Sequence, residues 1–122
     1  MTGVQTCALP ILHSNIKYLK LGCNSLDIIN SLPNSIMELK LNRFFNLQMD
    51  NLPTSIKKII IDKKSIYNKD LNCLPDFVEE LHLNAKYKKR IMRIPSNLKK
   101  LVCHKNYPHI NDFSTYDVKI YE

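Results

Sequence analysis

Four cysteines, four histidines, an adjacent pair of glutamates and recurring serines are the groups in this chain whose types could do chemistry. Catalysis needs such groups to converge in a pocket with shifted pKa values. Glu79 and Glu80 are neighbours in sequence, and on an extended chain they point to opposite faces, which rules out an acid/base pair. His82 and His104 flank no nucleophile, because Cys103 falls on an apolar position of the pattern below. Ser35 and Ser55 each follow a Leu-Pro step by two residues, which marks them as turn residues. Cys7, Cys23, Cys73 and Cys103 form no Cys-x-x-Cys pair, and the histidine and cysteine spacings fit no zinc pattern. Gly3 and Gly22 are the only two glycines, too few for a phosphate-binding loop. No enzyme, no metal and no cofactor is expected. Unpaired thiols and the absence of an Asn-x-Ser/Thr sequon favour a reducing, intracellular, cytoplasmic setting.

The elements that hold these residues are set by a period. Leu32-Pro33, Leu52-Pro53, Leu74-Pro75 and Ile94-Pro95 follow one another at spacings of 20, 22 and 20 residues. One period earlier stands Leu12-His13. After each step comes the same apolar phrase: Ile16, Leu19, Leu21; Ile36, Leu39, Leu41; Ile56, Ile59, Ile61; Val78, Leu81, Leu83; Leu98, Leu101, Cys103. A fixed period of this length predicts a solenoid, each repeat being one unit that stacks on its neighbours. The expected repeats are 12–31, 32–51, 52–73, 74–93 and 94–113. Residues 1–11 break the period, and Gly-Val-Gln-Thr-Cys-Ala-Leu-Pro-Ile resembles translated adapter read-through, so no structural role is expected of them. Residues 114–122 hold a further strand candidate, Asp117 to Ile120, reached after seventeen residues instead of twenty. With no polar capping unit after it, the chain reads as a fragment.

The phrase Leu-x-x-Leu-x-Leu ends in a strand alternation, with both leucines on one face. Strands entered from the same direction every twenty residues must be parallel, and such crossovers are right-handed. The fold predicted is a β-rich solenoid: a right-handed parallel sheet of five to six short strands with an irregular convex side. Proline opens the ascending arm, where an extended stretch outside the ladder needs no donor. The two extra residues of the third repeat are expected in the polar Tyr67-Asn68-Lys69-Asp70 stretch.

The net charge is +7. The densest basic run, Lys86 to Arg90 with Arg93, falls between repeats and reads as a solvated turn, with nucleic-acid binding as the other reading. No apolar run approaches the ~18 residues that span a bilayer, so no membrane partner is expected.

Leu32-Pro33-Asn34-Ser35-Ile36, Leu39-Lys40-Leu41, Phe45-Asn46 and Asn51-Leu52-Pro53-Thr54-Ser55-Ile56 together resemble the FNIP repeat. This is a leucine-rich-repeat relative plentiful in social amoebae and in giant viruses of amoebae, which extends the expected setting to a host cytoplasm. At the Phe45-Asn46 site the other repeats carry Ser25-Leu26, Ser65-Ile66, Tyr87-Lys88 and Tyr107-Pro108. The resemblance implies a protein-interaction module, in many members the target-recognition part of an F-box ubiquitin-ligase adaptor. Twenty-residue leucine-rich repeats of bacterial effectors share the Leu-Pro step and are the competing family.

Leucine-rich-repeat geometry implies that residues flanking the inward leucines face a concave surface. The first row is Tyr18, Glu38, Lys58, Glu80, Lys100 and Asp117, alternating in charge from Glu38 onward. This suits a ladder that fixes register, with partner recognition as the alternative. The central row is Lys20, Lys40, Ile60, His82 and Val102, in which Ile60 and Val102 are apolar on a wet face and are the preferred contact residues. The third row is Gly22, Asn42, Asp62, Asn84 and His104. Partner-binding candidates are thus Tyr18, Lys20, Lys40, Asn42, Ile60, Asp62, His82, Asn84, Val102 and His104. A rim of Arg43, Lys63, Lys64, Lys86 and Lys105 would stack as a like-charged ridge, hinting at an anionic partner. A protein partner is the first reading and a nucleic acid or polyanion the second.

Overall fold

The computed structural model describes residues 15–122 except Cys23, so the leader 1–11, the Leu12-His13 step, Cys7 and Cys23 lie outside the described residues. Six strands form one sheet: β1 (Tyr18–Leu21), β2 (Glu38–Leu41), β3 (Lys58–Ile61), β4 (Glu80–His82), β5 (Lys100–His104) and β6 (Asp117–Tyr121). They lie in sequence order and every neighbouring pair is parallel. The result is a β-solenoid of about five turns with little helix. Among the described residues, helix is confined to α1 (Leu26–Ile29), capped by the Ser25 hydroxyl, and a 3-10 turn at Ile110–Phe113.

Alternation decides which side chains go inward. Leu19, Leu39, Ile59, Leu81, Leu101 and Val118 are consecutive partners across the sheet. All but the half-buried Val118 are sealed from solvent. Behind them Ile36, Ile56, Val78 and Leu98 form a second buried file. A single repeat cannot bury such a file alone, so stability comes from stacking.

The prolines do more than extend the chain. In each step the proline carbonyl accepts from the amide three residues on, Ile36, Ile56, Val78 or Leu98, closing a tight turn rather than an open arm. That turn delivers two successive amides to one carbonyl of the previous repeat: Met37 and Glu38 to Lys17, Lys57 and Lys58 to Met37, Glu79 and Glu80 to Lys57, Lys99 and Lys100 to Glu79. Ser35 and Ser55 donate their hydroxyls, each at 2.6 Å, to the carbonyls of Ile16 and Ile36. Their recurrence is structural.

The extra pair of the third repeat lies elsewhere than Tyr67 to Asp70. After each of β2, β4 and β5 a turn closes on an aromatic residue: Phe45 on Asn42, Tyr87 on Asn84, Tyr107 on His104. After β3 the same turn closes from Ser65 to Asp62, and the aromatic residue arrives two positions later as Tyr67. Rings Phe45, Tyr67 and Tyr87 then stack at centroid separations of 6.1 and 6.4 Å, and Tyr107 follows, tilted, at 6.2 Å. Ser65 and Ile66 are therefore the inserted residues. The partner of Phe45-Asn46 is Tyr67-Asn68, not Ser65-Ile66, and the Asn68 amide donates to Asn46 Oδ1 at 3.1 Å.

Candidate interaction face

Strand alternation leaves three rows on the open side of the sheet. Register places Lys20, Lys40, Ile60, His82, Val102 and Lys119 side by side in the central row. Ile60, His82 and Val102 are half-buried, whereas the flanking lysines are exposed. Burial of this trio comes from what surrounds it: a cavity of about 440 Å³ whose floor includes Ile60, His82 and Val102. Arg43, Lys63 and Lys64 line one lip, and Tyr121 from β6 forms the far wall. A smaller hollow of about 280 Å³ adjoins it between Lys63, Lys64, Ser65, Ala85 and Lys86.

Tyr121 was not among the residues expected from sequence. Its hydroxyl donates to the Leu83 carbonyl at 2.6 Å, which bends the side chain back across β5 to the end of β4. The Lys63 ammonium sits 4.6 Å from its ring centroid, and His104 meets the ring edge-on at 5.6 Å. Burial, helped by the charge of Asp62, pushes the phenol up to about 12, so it stays a neutral donor. The available signal was the alternation of the sixth strand. Asp117 and Lys119 face out, and Tyr121 follows by the same period.

The first row keeps its alternating charges in register, Glu38 beside Lys58, Glu80, Lys100 and Asp117 in turn. Tyr18 heads it, exposed. Lys58 and Glu80 approach to 3.5 Å, and Glu80 Oε2 also meets His82 Nε2. Burial alone would push the Glu80 carboxyl up. The hydrogen bond to His82 and the charges of Lys58, His82 and Lys100 outweigh it and hold the carboxyl below its ordinary range. One residue earlier, Glu79 bridges Lys57 at 3.9 Å and Lys99 at 3.8 Å. The start of the sheet is thus charge-compensated, and Glu79 and Glu80 serve different lysines.

The third row is committed to the turns. Asn42 Nδ2 donates to the Gly22 carbonyl at 3.1 Å, while its Oδ1 accepts from the Phe44 amide at 3.0 Å. Asp62 Oδ1 accepts from the Lys64 amide at 2.8 Å, and His104 Nδ1 from the Asn106 amide at 3.0 Å. Asn84 must be withdrawn from the contact set: only 1% exposed, it donates to the carbonyls of Ser65 and Tyr67 at 2.9 and 3.1 Å. The inserted Ser65-Ile66 pair leaves those carbonyls facing inward, and Asn84 is the group that satisfies them.

The rim also divides. Lys105 pairs with Glu122 at 3.4 Å. Arg43, Lys63, Lys64 and Lys86 have no acidic partner within ion-pair distance among the described residues, and all four are exposed. Further along the basic run, Arg90 forks onto Asp112 at 2.8 and 2.9 Å and Arg93 pairs with Asp76 at 2.8 Å. Cys103 is sealed in the core, where burial raises its thiol pKa and makes it inert.

Residues 24–64, spanning β2 and β3, match the family model of the FNIP repeat. That stretch is FNIP repeat. The match begins at Asn24, whose Oδ1 accepts from the Asn46 amide at 2.7 Å, and that bond repeats one turn later between Asn46 and Asn68. FNIP repeats in a solenoid of this kind are typical of non-catalytic interaction modules. No curated protein and no solved structure matches the chain. No helix among the described residues is long and apolar enough to cross a membrane.

Proposed function

We propose that this FNIP-repeat chain is a non-catalytic protein-binding module whose partner docks on the open face of the sheet over Ile60, His82 and Val102. One observation carries the reading: two apolar side chains and a histidine, adjacent across three strands, floor a cavity of about 440 Å³ in a row otherwise made of lysines. Ligand sites combine an apolar floor with a few convergent polar groups in just this size range, roughly 300–1,000 Å³. Tyr18, Lys20 and Lys40 extend the same face toward β1 as its outer contacts. The family resemblance supports a finer role, target recognition within an F-box ubiquitin-ligase adaptor.

The experiment is a site-specific photocrosslinker placed at Ile60, at Val102 or, as control, at Asn51 in an exposed return arm. In a lysate of the cells that express the chain, positions 60 and 102 should trap the same protein and position 51 should not. Equal trapping from position 51, or no protein adduct from the sheet face, would contradict the reading. Adducts to nucleic acid alone would favour the second reading, which the four uncompensated rim cations support.

A further inference from the structure

The two ends of the strands differ in charge bookkeeping, and the difference points to a ligand. Where the strands begin, Lys57, Lys58 and Lys99 are matched by Glu79 and Glu80. Where they end, Arg43, Lys63, Lys64 and Lys86 have no such match among the described residues. Like charges crowded on consecutive turns repel one another, and the aromatic contacts of Arg43 with Phe44 and of Lys63 with Tyr121 leave their charge unneutralised. Lys63 and Lys64 line both adjoining hollows, Arg43 lines the larger one and Lys86 the smaller.

We infer that this cavity recognises a short acidic peptide segment of the protein partner, with an apolar side chain on Ile60 and Val102 and flanking carboxylates on Arg43, Lys63 and Lys64. The inference rests on the open-face reading above and names the chemistry of its ligand. Apolar surface continues outward beside the cations. Phe44 and Ile66 stand 61% and 55% exposed in the turns that carry Arg43 and Lys64. The Ile66 amide, in the inserted pair, is tied to the Arg43 carbonyl at 3.0 Å. Apolar and cationic groups therefore alternate along the lip, which suits a peptide mixing apolar and acidic residues.

A nucleic acid fits less well. Single strands are held by open aromatic platforms on which bases stack. Here the Tyr121 ring is covered by Lys63 and met edge-on by His104, and its hydroxyl is engaged by the Leu83 carbonyl. The Asp62 carboxylate also lines the cavity, and the phosphate track would have to pass it. An apolar floor offers nothing to a sugar-phosphate backbone.

The test is selection of a display library of short random peptides on the immobilised chain, run beside the K63E/K64E double variant and an R43E variant. All three altered residues are exposed, and circular dichroism melts check that each variant is still folded at the temperature of selection. Expected are sequences enriched in Asp and Glu around an apolar residue, whose affinity falls on the order of tenfold or more in K63E/K64E and in R43E. Recovery of no peptide, of peptides without acidic enrichment, or of peptides that bind K63E/K64E equally well would overturn the inference. So would a labelled oligothymidylate that displaces the selected peptides and binds more tightly than they do. If peptides fail while the crosslinker at Ile60 still traps a protein, only this inference falls and the open-face reading stands.

Discussion

Asn84 shows how one residue changes meaning when its neighbours are placed. By spacing it belongs with Asn42 and Asp62 on an accessible row. The inserted Ser65-Ile66 pair instead turns two carbonyls toward it, and its amide becomes their buried donor. Its Oδ1 meets no donor among the described residues, so within them the side chain is held by donation. Removing a buried donor strands the acceptors it served, at a cost of about 1–3 kcal/mol. Asn84→Ala is expected to lower stability in urea denaturation by that amount with an unchanged m-value. A change within a few tenths of a kcal/mol would mean that the insertion satisfies its own carbonyls. Nothing in the sequence marks Asn84 apart from Asn42, because the difference originates in an inserted pair that begins at Ser65, nineteen positions upstream.

At the level of elements, the turns after the strands are held by an aromatic file running along the solenoid. Tyr67, Tyr87 and Tyr107 donate their hydroxyls to the carbonyls of Leu47, Lys69 and Lys89 in the preceding repeat, at 3.0, 2.9 and 2.7 Å. Each ring therefore both packs against the ring before it and hydrogen-bonds backward. Burial drives all three phenols well above their ordinary range, joined by repulsion from nearby charges, Asp70 for Tyr67 and Tyr87 and Asp112 for Tyr107. The direction sets the pH window. A folded-state pKa above the unfolded value of about 10 gives stability that is intact below that pH and is lost as pH rises beyond it. In an alkaline titration these three tyrosines should ionise together with loss of the circular dichroism signal. Tyrosinate absorbance from all of them near pH ~10 without unfolding would show that the file is open to solvent. Strand positions and the inward phrases were legible because a strict period leaves little freedom. The file was half legible: Tyr87 and Tyr107 stand as far from their own proline step as Phe45 does from Pro33, but the insertion moved Tyr67 out of step. Without a ring-on-ring contact to anchor the alignment, Ser65-Ile66 occupied its place.

For the molecule as a whole, the sheet converts a one-dimensional repeat into a surface, since each row of that surface is one position of the repeat read across β1 to β6. That is why Ile60, His82 and Val102 could be grouped from sequence and why the cationic lip could be placed beside them. The wall supplied by Tyr121 was less visible, because β6 follows a shorter spacing and its last residue reaches back over β5 by a side-chain bond that no period encodes. The separation of Lys105 from the other rim cations depends on Glu122 at the end of the same strand. All these assignments require that the central row be continuous and face outward. Proton NOEs of the His82 ring in the labelled chain test this most directly, since neighbouring strands lie only about 4.8 Å apart. Cross-peaks from that ring to methyls of both Ile60 and Val102 are the predicted result. Cross-peaks to the core methyls of Leu81 or Leu83 with none to Ile60 and Val102 would contradict the register, the open face and the site built on it.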